Sequence, residues 1–225
     1  MKRHALVTAG AGLIGSHLVD RLIMEDWRVR VIDDLTTGNI SNLSKVDRKV
    51  EFFQGSITDA ELVGRAVHGV EVILHLAAKV FVPESFKSPS QYEHTNVHGT
   101  DILLKAARMA GVGRLILSST SAVYGDAAKL PISEQSLTAP ISPYACNKLA
   151  AEELGRKAAS DGGIAFTALR YFNVYSLRQD PRSTYSGVIS RFAENMGKIL
   201  LPLFTVMGCR HGTLLMWGMS PAQIC

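Results

Sequence analysis

The chain has 225 residues, 47% hydrophobic and 20% charged, with a formal net charge of +4. That length and apolar content suit one sizeable core and exclude a disordered chain. The 24 Lys and Arg are scattered without a basic run, so no nucleic-acid footprint is expected. Cys146, Cys209 and Cys225 show neither metal-ligand spacing nor a disulfide framework, and no metal site is expected. No apolar run approaches the roughly eighteen residues of a membrane span. Met1-Lys2-Arg3 before an apolar segment imitates a signal peptide, but a glycine-rich turn interrupts that segment. A reducing, cytoplasmic setting is expected, without a membrane partner.

The first predicted strand is His4-Ala5-Leu6-Val7, and the turn Thr8-Ala9-Gly10-Ala11-Gly12-Leu13-Ile14-Gly15-Ser16 follows it. A helical pattern begins there, with Leu13, Leu18, Leu22 and Ile23 on one side. Strand, glycine turn and helix in this order mark a dinucleotide site: residues without bulk let the backbone approach a pyrophosphate, and the helix N-terminus offers unpaired N–H groups to it. The bland alternative is a tight turn that packs a helix on a sheet. Arg28 to Ile32 is the second strand, ended by Asp33 eighteen positions after Gly15, where an acid accepts hydrogen bonds from an adenosine ribose. A carboxylate there repels a 2′-phosphate, favouring NAD over NADP. Asp34 reads as a turn residue opening the loop through Gly38 and Asn39.

Val50 to Gln54 is the third strand, and Asp59 is expected to cap a helix from Ala60. Val70 to Leu76 is the fourth, apolar enough for a sheet covered on both faces. Of two readings of His75, a core histidine with satisfied nitrogens is preferred to a functional one. A long helix is expected from Ser90 to Ala110, stopped by Gly111. Leu115-Ile116-Leu117 then runs into Ser118-Ser119-Thr120-Ser121. Hydroxyls at a strand's C-terminal end lie where open α/β sheets place ligands, although Ser and Thr are also ordinary loop residues. Ile141-Ser142-Pro143 starts the next helix, with Tyr144 and Lys148 four apart on one face. Such a pair is usually a solvated face. After a dinucleotide turn and a hydroxyl cluster the catalytic reading is taken, with the ammonium lowering the phenol's pKa so that Tyr144 acts as a base. Ala165 to Arg170 is the sixth strand, and Tyr171-Phe172-Asn173-Val174-Tyr175 leaves its end.

These motifs together resemble the extended short-chain dehydrogenase/reductase family, within it the NAD-dependent nucleotide-sugar epimerases and dehydratases. The resemblance rests on the glycine turn, Asp33, His75-Leu76-Ala77-Ala78, Asn96-Val97-His98-Gly99-Thr100, Ser118-Ser119-Thr120, Tyr144 with Lys148, and Arg170-Tyr171-Phe172-Asn173, and it covers Lys2 to Gly197. It implies an α/β fold with a Rossmann-type doubly wound parallel sheet, residues 1–197 forming the NAD-binding domain and the C-terminal substrate lobe largely missing. It assigns catalysis to Thr120, Tyr144 and Lys148. Cofactor contacts fall to Gly10, Gly12, Leu13, Ile14 and Gly15 in the turn; to Asp33, Asp34, Gly38 and Asn39 after the second strand; and to Ser56 and Ile57 after the third. The remaining cofactor contacts are Leu76, Ala77, Ala78 and Lys79, then Asn96, Ser118, Ser119, Tyr171 and Phe172, with Tyr144 and Lys148 again. Thr120 and Asn173 would meet a nucleotide-sugar substrate.

The chemistry implied is C4 epimerisation of a nucleotide sugar of the UDP-glucose/UDP-galactose type, by hydride loss to NAD, turnover of the 4-keto sugar and hydride return. Dehydratases of the family carry an Asp-Glu pair after the position of Thr120; Ser121 and Ala122 stand here and cannot run an elimination. The alternatives are an inactive nucleotide-binding remnant and a different NAD-dependent short-chain reductase. Relatives pair through helices equivalent to Asn96–Ala110 and Pro143–Ser160, which implies a homodimer through a four-helix bundle. Two departures are evident. Ala9 replaces the first turn glycine, which costs about 1–2 kcal/mol if φ is positive there, and Ser56 replaces an acid expected at the adenine; both imply weaker cofactor binding.

Residues 198–225 do not follow the family, and Met207 to Cys225 shows neither helix nor strand period. Reading the codons available to Thr205 onward one nucleotide early permits Gly-Asp-Gly-Leu-Gln-Ala-Arg-Asp-Phe-Leu-Tyr-Val-Gly-Asp-Val, the continuation the family expects. The codons of Met207-Gly208 force the first of its later glycines, and those of Met216-Trp217 force its first valine. A reading-frame shift between Gly197 and Thr205 is the expected origin of this segment, and the coding DNA decides it.

Overall fold

The computed structural model describes residues 3–127, 129–176 and 178–179, together with the backbone of 214–216. These fall into two units, 1–170 and 171–225. The first holds a sheet in the order β3-β2-β1-β4-β5-β6, built from β1 (His4–Thr8), β2 (Arg28–Asp33), β3 (Val50–Gln54), β4 (Val72–His75), β5 (Arg114–Thr120) and β6 (Ala165–Tyr171). The pairings from β3 to β5 are all parallel. The strand order reverses between β1 and β4, and open α/β sheets bind ligands in the crevice that this reversal leaves beyond the strands' carboxyl ends.

Alternation along the strands feeds two cores. On one face Leu6, Ile32, Ile73, Leu115 and Leu117 meet α2 (Ala60–Val67), α5 (Gly99–Met109) and α6 (Pro143–Ser160). On the other, Val7, Val29 and Val31 meet Val19 of α1 (Leu13–Met24). The buried face of α1 is Gly15, Ser16 and Val19, with Leu22 and Ile23 packed beside it; Leu13 and Leu18, expected inside, are only half-buried. The cause is close approach. A Cβ on Gly15 would lie 2.1 Å from the Ala9 carbonyl oxygen, so small residues, not leucines, define the contact. Similarly, a Cβ on Gly155 would meet the Phe166 ring at 2.1 Å, which lets α6 sit tightly on β6.

The expected helix over 90–110 forms in three parts: α4 (Pro89–Glu93), a π-helical turn at His94–His98, and α5. Short α3 (Val82–Lys87), with Pro83 in its first turn, has no counterpart in the sequence reading. Asp59 caps α2 as expected, its Oδ1 accepting from the Glu61 and Leu62 amides at 3.0 Å. In the second unit β7 (Asn173–Tyr175) pairs in parallel with β8 (Leu214–Met216), inside the segment where no strand period was expected. The rest of residues 198–225 lies outside the described residues.

Candidate active site

The glycine turn is held from behind. Ala9 takes φ +52, the left-handed region, and its amide donates to the Ile32 carbonyl at 2.7 Å. A Cβ on Gly10 would strike the Val31 methyls at 2.6 and 2.7 Å. Helix α1 begins after Gly12 with no side-chain cap and no acid in its first turn, leaving its N-terminal amides for an anion.

Asp33 is 5% exposed. Its Oδ2 accepts from the Ala11 amide and its Oδ1 from the Leu35 amide, both at 2.9 Å. Burial pushes its carboxyl up, against those two hydrogen bonds. Each oxygen keeps a lone-pair direction for another donor. Gly38 packs onto this carboxylate. The Asp34 side chain caps its own turn at Thr36, and Asn39 caps a short 3₁₀ turn at Ser41. Asn42, which the sequence reading passed over, anchors the loop by donating Nδ2 to the Ala11 carbonyl at 2.9 Å. The Ser56 hydroxyl is occupied locally by the Thr58 amide and hydroxyl, and Ile57 is buried under Gly99.

His75 is the core histidine expected, and it sits at the centre of a directed chain. Thr8 Oγ1 accepts from the Leu76 and Ala77 amides at 3.0 Å, so its own proton goes to His75 Nδ1 at 2.8 Å. Thr100 donates to the Asn96 carbonyl at 2.6 Å and so accepts from His75 Nε2 at 2.9 Å. The ring is therefore the neutral Nε2–H tautomer. Burial, and then the charge of Lys148, hold its pKa down to about 3. The Asn96 amide closes the frame, accepting from the Lys79 amide at 2.7 Å and donating to the Lys79 carbonyl at 2.9 Å. Residues 76–79 are thereby fixed beyond β4, facing the crevice beside the glycine turn.

Along β5, alternation separates the hydroxyls. Thr120 lies within hydrogen-bonding reach of the Tyr144 phenol, and its Oγ1 accepts from the Ala122 amide at 3.2 Å. Ser118 is half-buried. Ser119 points the other way, into α6, so its side chain is not the cofactor contact expected of it. Ser142 caps α6 through the Ala145 amide at 3.2 Å, with Pro143 in the first turn, and this sets Tyr144 and Lys148 one turn apart. Both are buried, at 9% and 4% exposure. Burial pushes the Tyr144 phenol up, opposed only by the Thr120 hydrogen bond. This corrects the expectation of a lowered pKa: desolvation of the phenolate dominates. Burial brings Lys148 down to about 8, with Glu152 opposing the fall. The Lys148 ammonium finds no hydrogen-bond acceptor among the described residues.

Tyr171, Phe172 and Asn173 belong to the second unit, where burial raises the Tyr171 phenol and Asn173 opens β7. Among the described residues no helix is long and apolar enough to cross a membrane, and no cluster of three metal-ligating side chains occurs.

A Rossmann-type sheet carrying a glycine turn, an acid at the end of β2 and a Thr/Tyr/Lys group, with the tyrosine and lysine buried, is the architecture of the short-chain dehydrogenase/reductase class. The chain belongs to the NAD dependent epimerase/dehydratase family, whose model matches residues 5–218. It is 42% identical over 177 residues to a UDP-glucose 4-epimerase of Lactobacillus helveticus, covering 78% of this chain and 53% of that one. Among solved structures, a UDP-glucose 4-epimerase of Thermotoga maritima with UDP-glucose matches with TM-score 0.88 and 36% identity, over 95% of this chain and 69% of that one. A dTDP-glucose 4,6-dehydratase of Streptomyces venezuelae with NAD bound matches with TM-score 0.84 and 35% identity, over 95% and 68%. The chain spans between about half and two thirds of the curated relatives it matches.

Proposed function

We propose that this chain carries the NAD-binding half and the catalytic dyad of a nucleotide-sugar 4-epimerase of the UDP-glucose/UDP-galactose type. The observation that carries the reading is the Thr120/Tyr144/Lys148 group: Thr120 ends β5 within hydrogen-bonding reach of the Tyr144 phenol, and Tyr144 and Lys148 are buried one turn apart on α6. The fit to a dinucleotide rests on the α1 N-terminus without a competing acid, on free lone pairs of Asp33 for ribose hydroxyls, and on the Lys148 ammonium, which finds no acceptor among the described residues. When bound, NAD supplies a hydride acceptor and a positive nicotinamide ring. Tyr144 Oη, ionised to the phenolate under the attraction of that positive ring, would take the proton of the sugar 4-hydroxyl and later return it. Thr120 Oγ1 would orient that hydroxyl, and the Lys148 ammonium would hold ribose hydroxyls.

Ser121 and Ala122, in the 3₁₀ turn after Thr120, carry no acid or base for water elimination, which favours epimerase over dehydratase. Catalysis by the chain is tested with UDP-galactose: turnover that Tyr144→Phe abolishes supports the reading, and release of a 4-keto-6-deoxy sugar overturns the epimerase assignment. A second reading is a nucleotide-binding remnant. NAD binding without turnover would select it. The reading also includes a cytoplasmic setting and a homodimer through α5 and α6, which sedimentation tests. A shifted reading frame after Gly197 remains part of the proposal; codons incompatible with the shifted sequence would remove it.

A further inference from the structure

Helix α6 carries a third buried polar residue at the same stride: Tyr144, Lys148, Glu152. Glu152 is 1% exposed and yet fully satisfied. Its Oε1 accepts from Ser119 Oγ at 2.5 Å and Arg170 Nε at 3.0 Å; its Oε2 accepts from Arg170 Nη2 at 2.8 Å and Arg156 Nη2 at 2.9 Å. Four donors occupy the four lone-pair directions of the carboxylate. They come from β5, from β6 and from α6 itself, and Arg170 also lies 4.8 Å over the Tyr124 ring in the turn after Thr120. A buried ion cluster of this kind contributes little net stability over an apolar core. Its placement suggests another use, since Ser119 precedes Thr120 and Glu152 lies one turn beyond Lys148.

Resting on the function proposed above, we infer that Glu152 is a positioning residue of the catalytic group: its carboxylate ties the Thr120 end of β5 to α6 and supplies the negative charge that keeps the buried Lys148 ammonium protonated. Lys148 is otherwise surrounded unfavourably. His75 faces it from β4 as a neutral ring, Tyr144 lies one turn back as a neutral phenol, and no acceptor meets its ammonium among the described residues. The groups facing Glu152 are Arg156, Arg170 and the Ser119 hydroxyl. Burial raises Glu152, but the Arg170 and Ser119 hydrogen bonds and the two guanidinium charges outweigh it, so the carboxylate stays ionised. Lys148, at about 8, is thus charged at neutral pH because Glu152 opposes desolvation. A merely structural Glu152 would leave that protonation equilibrium where it is.

The test is the pH dependence of Lys148 modification by an amine-reactive reagent, read peptide by peptide by mass spectrometry. It needs no bound NAD, because only the neutral amine reacts. The wild-type chain is expected to show a midpoint near pH 8. In Glu152→Gln the midpoint moves down; a shift of one pH unit makes Lys148 about fivefold more reactive at pH 7. A folded Glu152→Gln chain with an unmoved midpoint overturns the inference. Should that variant not fold, Arg156→Gln takes its place, since this side chain is half-exposed. Losing one counter-charge from Oε2 strengthens the field of Glu152 at Lys148, so the midpoint moves up, and no movement overturns the inference. NAD titration over the same pH series tests the functional reading separately: a wild-type chain that never binds NAD removes that reading and leaves the labelling result to judge Glu152.

Discussion

The glycine turn and the α6 face build two halves of one crevice by opposite means. The turn is made of backbone. Ala9, Gly10 and Gly15 are consecutive or nearly so, and their packing follows from what they lack. The α6 face is made of side chains gathered from β5, β6 and one helix, and its central residue, Glu152, is held by partners 4, 18 and 33 positions away. A contiguous backbone device fails locally when a carbon is added. A convergent polar device fails when a charge is removed, because its partners are left buried and unpaired.

That contrast orders the expected effects. Glu152→Ala strands Arg170, 19% exposed, and the Ser119 hydroxyl, and is expected to cost about 3–5 kcal/mol, as breaking a buried ion pair does. Denaturant unfolding measures it, and a loss under 1 kcal/mol would mean the cluster is solvated. Gly15→Ala places a carbon against the Ala9 carbonyl and is expected to cost about 1–3 kcal/mol. It should also weaken NAD binding, since the helix must move off the turn; unaltered affinity would detach the turn from the cofactor.

His75 gives a pH prediction. Its folded pKa of about 3 lies below the ordinary 6.5, so the unfolded chain binds a proton that the folded chain refuses. Its stabilising contribution is complete above pH 6.5. It is lost as pH falls toward 3, at up to about 1.4 kcal/mol per pH unit. Thermal midpoints of wild type and His75→Gln against pH check it: the acid slope should flatten in the variant, and parallel slopes would contradict the neutral ring. The smallest effect is a gain. Ala9→Gly relieves the φ of +52 and is expected to add about 0.5–1 kcal/mol, net of glycine's greater freedom when unfolded. A lower midpoint would show that Ala9 is not strained.

The same contrast explains what could be read from the sequence. The six sheet strands, the turn, Asp33, the cap at Asp59 and the Tyr144/Lys148 spacing were legible, because each is written in a few adjacent residues. Positive φ at Ala9 stood only as a condition in the sequence, and the backbone meets it with φ +52. Glu152 was not legible: nothing in the run of Glu152, Glu153, Arg156 and Lys157 tells one acid from the other, and only the docking of α6 through Gly155 onto Phe166 accompanies the burial of Glu152. Ser119 was placed with its neighbours because a hydroxyl run does not say which members face which way; strand alternation does. The rise in the Tyr144 pKa was missed because spacing shows which charge is near but not how dry the site is.

The most direct measurement is a calorimetric titration of NAD into the purified chain at pH 7, repeated at pH 9. A single saturable binding event is expected at pH 7, weakening at pH 9 as Lys148 passes through about 8 and loses its proton. A folded chain that takes up no NAD, or binds it equally at both pH values, would contradict the assignment of the glycine turn and Lys148 to one cofactor site.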